Sequence, residues 1–257
     1  MPTTPTTLAI ANQKGGVAKT TTVASLGAAL AELGHRVLLV DLDPQACLTF
    51  SLGIDPEDLE LSVHHVLTKG LDAAEVIIET DDGVDLLPAT IELARAEADL
   101  LTRTGREHVV KMALDGLDYD WVLLDCPPSL GVLTVAALTA ADGVLVPLQC
   151  ETLSHRGVGQ LLDTVHDVRR FTNRSLEVWG VLPTLYDGRT NHARAVLDNI
   201  SQSYRLEVVE PPIPKSIRFA EAPAAGRSIL STTRRHPGAE AYREVAARLA
   251  ARGQQPL

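Results

Sequence analysis

The sequence predicts an α/β fold, one domain built on a doubly wound, mainly parallel sheet flanked by helices. Three observations carry this. Short apolar runs alternate with helical patterns along the chain, as repeated βα units with right-handed crossovers require. Most of these runs are continuously apolar rather than alternating, as in strands covered on both faces. Hydrophobic residues make up 45% of the chain but aromatic residues only 4%, so the core must be built from Ala, Val, Leu and Ile.

The 257 residues suffice for one large domain with a full core. No repeat, low-complexity linker or boundary divides them. A single unit over 1–257 is expected, with an ordered core over about 7–252 and frayed ends. In order, the expected strands are Leu8–Ala11, Val37–Asp41, Val84–Pro88, Trp121–Asp125, Gly143–Pro147, Val178–Thr184 and Leu206–Val209. Helical patterns cover 19–33, 91–101, 106–116, 131–140, 156–171, 191–203 and 239–251. Gly34 stops the first helix. Residues 51–83 are the least regular and are expected to cover one end of the sheet. The last helix has apolar residues at helical spacing, but they are mostly Ala, without Trp or Phe. Docking onto the sheet, rather than onto a membrane surface, is the expectation.

Composition excludes several classes. No apolar run approaches the ~20 residues of a membrane span, and MPTTPTTLA has no basic segment of the signal-peptide kind. Cys47, Cys126 and Cys150 are odd in number and widely spaced, which fits neither a disulfide framework nor a metal pattern and suits a reducing cytoplasm. The net charge of −10 argues against nucleic-acid binding over the whole surface. The charge is uneven, however. Residues 211–257 carry a net +5 and residues 1–210 a net −15, which predicts one locally basic face on an acidic body.

Residues 9–22 read AIANQKGGVAKTTT. A strand runs into the pair Gly15–Gly16, then Lys19, Thr20 and Thr21, then a helix. Glycines let backbone N–H groups turn toward an anion, and the helix N-terminus adds partial positive charge. In such a phosphate cradle Lys19 would meet the β- and γ-phosphates and Thr20 would hold Mg²⁺. The usual G-x-x-x-x-G-K-[ST] pattern is only partly matched. Gln13 and Ala18 stand where its glycines belong, and K-G-G-x-x-K-[ST] fits instead, with Lys14 in front. If Ala18 already has helical backbone angles, its methyl is harmless there, and that is the expectation.

Strand ends carry site residues in this architecture. Val37–Asp41 continues into Leu42-Asp43-Pro44-Gln45, so Asp41 and Asp43 should both face the cradle. A carboxylate there can orient or activate a water; turn chemistry is the alternative reading of both. Trp121–Asp125 ends in another acid, placed to hold Mg²⁺ opposite Thr20. Cys126 reads as a small buried residue and not as a nucleophile. His155 and His166 are wrongly spaced for a one-face metal pair.

The K-G-G-x-x-K loop resembles that of the deviant Walker A P-loop ATPases, and the chain resembles the ParA/Soj partition ATPases. From Leu8 to about Leu249 it carries, in order, the loop, D-x-D-P-Q at 41–45, the Walker B strand ending at Asp125, Q-C-E at 149–151 and I-P-K-x-x-R-x-x-E-A-P at 213–223. Arg156 departs from the acid more often found before Gly157. The resemblance implies an ATPase that uses ATP and Mg²⁺, slow unless stimulated by a partner. Lys14, Lys19 and Asp43 would be catalytic, with Lys14 reaching the phosphates of a second subunit. Lys14, Gly15, Gly16, Val17, Ala18, Lys19, Thr20 and Thr21 would cradle the nucleotide, and Pro212 and Pro214 would lie near the adenine. Thr20, Asp125 and Asp41 would form the metal shell, Asp41 alternatively bracing the loop.

Further implications concern partners. The resemblance implies a homodimer in the ATP state, bound non-specifically to double-stranded DNA through Arg189, Lys215 and Arg218. It also implies a ParB-like stimulating protein, no membrane, and a cytoplasmic, nucleoid-associated place in chromosome or plasmid partitioning. Base-specific reading is not expected without a helix-turn-helix, zinc module or aromatic platform. The rival readings are a MinD-like membrane-associated positioning ATPase, an orphan ParA-like ATPase that positions a protein cargo, and a metabolic ligase of the same superfamily.

Overall fold

Strand β1 (Thr6–Ile10) enters the middle of the molecule, and helix α1 (Lys19–Glu32) leads to β2 (Val37–Asp41). Then come two short helices, α2 (Cys47–Ser51) and α3 (Val63–Lys69), and two short strands, β3 (Ile78–Glu79) and β4 (Asp85–Leu87). Helices α4 (Leu93–Leu101) and α5 (Val109–Leu114) precede β5 (Trp121–Asp125). The second half alternates α6 (Val132–Ala140), β6 (Gly143–Gln149), α7 (Ser154–Phe171), β7 (Glu177–Thr184) and α8 (Asn191–Tyr204). Short helices α9 (Arg218–Glu221) and α10 (Ile229–Thr232) lead to α11 (Pro237–Gly253). This computed structural model describes residues 5–151, 154–189 and 191–253. The ends 1–4 and 254–257, for which fraying is expected, lie outside the described residues, as do Thr152, Leu153 and Thr190.

The strands form one sheet in the order β3-β4-β2-β5-β1-β6-β7. Every pairing is parallel except that of β3 with β4. The fold class is therefore as the apolar runs predict, and β1 is flanked by the two directions of winding. Alternate residues of each strand feed separate cores. Leu38, Val40, Val122 and Leu124 pack under α3 to α7, while Val37, Leu39, Trp121 and Leu123 pack under α1 and α11.

Helix α11 docks as its Ala-rich face predicts, here against α1. Ala239, Tyr242, Val245, Ala246 and Leu249 are buried, and the Tyr242 hydroxyl lies 3.0 Å from that of Thr22 on α1. Among the described residues no helix is long and apolar enough to cross a membrane. Three details differ from expectation. Leu206–Val209 makes a single bridge, Val181 to Val208, rather than a strand. The irregular 51–83 stretch contains α3 and the antiparallel edge strand β3. The first strand starts at Thr6, ahead of the expected ordered core.

Candidate functional site

Register fixes the site. Asp125 pairs with Ile10 on one side and with Asp41 on the other, so β1, β5 and β2 end level at one edge. The glycine loop, the Asp43 turn and the Cys126-Pro127 turn all leave from that edge, beside the strand whose neighbours run in opposite winding directions. This is where open α/β sheets bind ligands.

The loop is held by two buried polar side chains from outside it. Asn12, 3% exposed, accepts from the Lys14 N–H at 3.0 Å and donates to the Pro147 carbonyl of β6 at 2.8 Å. Thr184, at the end of β7, donates its hydroxyl to the Val17 carbonyl at 2.9 Å. Gly15 and Gly16 are exposed, and Gly16 has φ 73°. Ala18 overturns the expectation made for it: its φ of 63° and ψ of 35° are left-handed, not helical. The chain passes from loop to helix through this residue, which stands at the N-cap of α1. The methyl costs about 1 kcal/mol relative to glycine in that conformation. No side chain caps the first turn of α1, so its N–H groups face the loop side, as anion binding requires.

The three threonines separate by depth. Thr22 is fully buried and bonded to Tyr242, whereas Thr20 and Thr21 are half-buried at the loop. The two lysines separate likewise. Lys19 is 7% exposed, with its amine 3.4 Å from the Lys14 carbonyl. Burial pulls its pKa below the usual lysine value, opposed by Asp125, Cys126 and Asp43. Lys14 stays at the surface, its side chain 31% exposed, and forms an ion pair with Glu151 beyond β6.

Each carboxylate has its own environment. Asp125 is fully buried, and neither of its oxygens has a hydrogen-bond partner. Burial first, then Asp41, pushes its pKa well above the usual range, with Thr20 and Lys19 pulling back. Asp41 is also fully buried but well satisfied. It accepts from the Thr49 N–H at 2.9 Å, the Thr49 hydroxyl at 2.8 Å and the Asp43 N–H at 3.1 Å. Burial still pushes its pKa up to about 6. Asp43 is half-buried and accepts from the Gln45 N–H at 3.0 Å in an Asx turn. Cys126 is buried, and burial raises its thiol pKa, as befits an inert core residue. Cys47 is exposed and Cys150 half-buried. Among the described residues no cluster of three His, Cys, Asp or Glu side chains could hold a metal.

Pro212 and Pro214 reach the same edge by extending β7. The Ile213 N–H bonds the Pro183 carbonyl at 2.7 Å, and the Tyr186 N–H bonds the Ile213 carbonyl at 2.9 Å. Lys215 continues that extension and is exposed. Arg189 and Arg218 lie apart from the cradle. Arg189 is 90% exposed and paired with Asp187, and Arg218 pairs with Glu221 on α9. The basic face expected from the sequence is partly neutralised. Arg227 pairs with Asp81, Arg243 with Glu32 and Glu240, and Arg252 with Glu177 and Glu207. Asn12, Thr184 and Thr49 were not singled out from the sequence. A lone polar residue directly after a buried strand, as at Asn12, is the one signal that marks any of them.

An orphaned, fully buried carboxylate beside the Thr20 hydroxyl is a hard-oxygen donor set that fits Mg²⁺. A parallel sheet, a glycine loop between β1 and α1, a buried lysine and an acid at the adjacent strand end define a P-loop nucleotide-binding protein. The family model described as "AAA domain" matches residues 5–178. The chain is 45% identical to the sporulation initiation inhibitor protein Soj of Bacillus subtilis, over 96% of this chain and 98% of that one. It is 44% identical to the chromosome-partitioning ATPase Soj of Thermus thermophilus, over 96% of each. It is also similar to a crystal structure named cobyrinic acid a,c-diamide synthase from Mycobacterium smegmatis, with bound ATP analogue and magnesium. That match has 56% identity and a TM-score of 0.86, over 96% of this chain and 95% of that one. The chain belongs to this AAA-domain family, among the Soj/ParA-like P-loop ATPases.

Proposed function

We propose that this protein is an ATP-gated dimer that binds DNA without sequence preference and serves chromosome or plasmid partitioning in the cytoplasm, at the nucleoid. The observation that carries the reading is the separation of the two lysines. Lys19 is buried inside the cradle, where it meets the β- and γ-phosphates of its own nucleotide. Lys14 stands outside at the surface, ion-paired with the half-exposed Glu151, a pair weak enough at that exposure to yield to the phosphates of a second subunit. Two such subunits facing each other complete one another's sites, so the triphosphate becomes part of the interface.

Within each site the amides of Gly15 to Thr20 and the N-terminus of α1 hold the phosphates. Pro212 and Pro214 flank the base. Thr20 and Asp125 would hold Mg²⁺, with Asp41 bracing the Asp43 turn directly through the Asp43 N–H and itself held by Thr49. Mg²⁺ held there would offset the charge of the phosphates. Asp43 orients the attacking water and accepts its proton. Turnover is slow until a ParB-like partner engages the acidic body. Arg189, Lys215 and Arg218 contact DNA phosphates. The ion pairs of Arg189 with Asp187 and of Arg218 with Glu221 are exposed and worth little, so phosphate displaces those carboxylates readily.

The test is retention on DNA with ATP, ADP and no nucleotide. Retention should need ATP, weaken with salt, and fail in Arg218→Glu and Lys14→Ala. Equal retention in all three states overturns the reading. Asp43→Ala should bind ATP and stay dimeric without hydrolysing it.

A second reading comes from the amide-synthase name of the M. smegmatis neighbour. ATP turnover that depends on a corrinoid acid and an ammonia donor, and not on DNA, would replace the first reading with this one. A MinD-like membrane role is disfavoured by α11, whose apolar face is spent on α1.

A further inference from the structure

A lysine that serves a neighbouring subunit needs a fixed starting point for its main chain, and the buried amide of Asn12 supplies one. Both ends of that amide are committed. Its oxygen accepts from the Lys14 N–H at 3.0 Å, and its nitrogen donates to the Pro147 carbonyl at 2.8 Å. A carboxamide carries its donor and its acceptor on separate atoms, so both bonds form at once from one short side chain. Pro147 lies in β6, and the chain continuing from that strand carries Glu151, the ion-pair partner of Lys14. Helix α7 passes against the same amide: a Cβ added to Gly157 would stand 3.4 Å from the Asn12 oxygen.

The inner half of the loop has a separate anchor. The Thr184 hydroxyl holds the Val17 carbonyl, and Lys19 already belongs to α1. Cutting the Asn12 link therefore loosens residues 12–14 and leaves residues 17–19 held. We propose that Asn12 is the positioning residue for Lys14, fastening the outer lysine to β6 so that its amine is presented to the second subunit. This rests on the role proposed above for Lys14 across the dimer.

Two variants separate this from a general scaffolding role. Asn12→Ser keeps a short acceptor able to form the local turn with the Lys14 N–H but cannot reach Pro147. Asn12→Ala loses both bonds. Nucleotide affinity is read by titration with a fluorescent ATP analogue at low protein concentration. Dimerisation is read by sedimentation with Mg²⁺ and a non-hydrolysable ATP mimic, and folding by thermal melting. Asn12→Ser should bind nucleotide within about threefold of the parent protein while its dimerisation midpoint rises about tenfold, the effect of one lost hydrogen bond. Asn12→Ala should move the midpoint further in the same direction; should it not fold, the serine variant decides alone.

Dimerisation of Asn12→Ser at the parent protein's concentration overturns the inference. So does a loss of nucleotide affinity as large as the loss of dimer, since that is what a structural role alone produces. Lys14→Ala, measured alongside, tells the two failures apart. If Lys14→Ala stays monomeric and Asn12→Ser dimerises normally, only the Asn12 inference falls. If Lys14→Ala dimerises normally, the Lys14 reading falls and takes the inference with it.

Discussion

Asp125 is held inside the sheet at 0% exposure with both oxygens unpartnered and Asp41 on the next strand. A buried, unsatisfied polar group costs about 1–3 kcal/mol, a cost borne by the nucleotide-free protein for the sake of the site. The pH dependence follows from the direction of the shift. Asp125 and Asp41 both hold their protons more tightly folded than unfolded, Asp41 with a pKa of about 6. The unfolded chain ionises them from about pH 4 upward, so stability from this pair is present below that pH and is lost as pH rises. Asp125→Asn removes one charge and relieves the other. In urea titrations without nucleotide it should be more stable than the parent at pH 7 by about 1–3 kcal/mol, with the gap closing toward pH 4. The same variant should lose Mg²⁺-dependent tightening of nucleotide binding. Ala18 bears strain of a different kind. With φ at 63°, Ala18→Gly should raise the unfolding free energy by up to about 1 kcal/mol; an unchanged or lower value would show that the surrounding loop has adapted to the methyl.

Between elements, glycines set how closely neighbours can pack. A Cβ on Gly143 at the start of β6 would stand 2.3 Å from the Trp179 Nε1 atom on β7. That indole cannot retreat, because Trp121 lies edge-on to it at 6.1 Å and the Arg252 guanidinium covers it at 5.2 Å. Gly143→Ala should therefore cost about 1–3 kcal/mol in thermal or urea unfolding by overpacking, and adding Trp179→Phe should return part of it. This packing also explains what the sequence could and could not reveal. Strands β2 and β5 were readable to the residue because both faces are buried, which demands an uninterrupted apolar run. Asp41, Asp43 and Asp125 were readable because each ends or follows such a run. Helix α2 and strand β3, five and two residues long, are too short to show a period. Leu206–Val209 has a strand's composition, yet its one bridge to β7 shows that tertiary placement decides pairing. The left-handed Ala18 was illegible because alanine normally signals helix. The Asn12 and Thr184 tethers each join residues more than a hundred positions apart, a relation that no local pattern records.

At the scale of the whole molecule, charge sets what the proposed DNA contact can be. The chain carries −10 overall, and its C-terminal segment has most of its excess bases. Arg227, Arg243 and Arg252 are occupied by carboxylates of the body, so they brace the fold and leave few cations to offer. Arg189, Lys215 and Arg218 are exposed near or beyond the end of β7, about six cations in a dimer. Each phosphate neutralised contributes about −0.9 to the slope of log affinity against log salt, so that slope should be no steeper than about −5. Monomers, with half the contacts, should show about half the slope and far weaker binding, as the proposed ATP-dependent dimer requires. Arg218→Ala should flatten the dimer's slope by about 2 without altering preference among sequences. Fluorescence anisotropy with duplexes of unrelated sequence, over a series of salt concentrations, measures all three quantities. A slope far steeper than −5, or one indifferent to Arg218, would move the DNA contact to the exposed arginines Arg234 and Arg235 beyond α10.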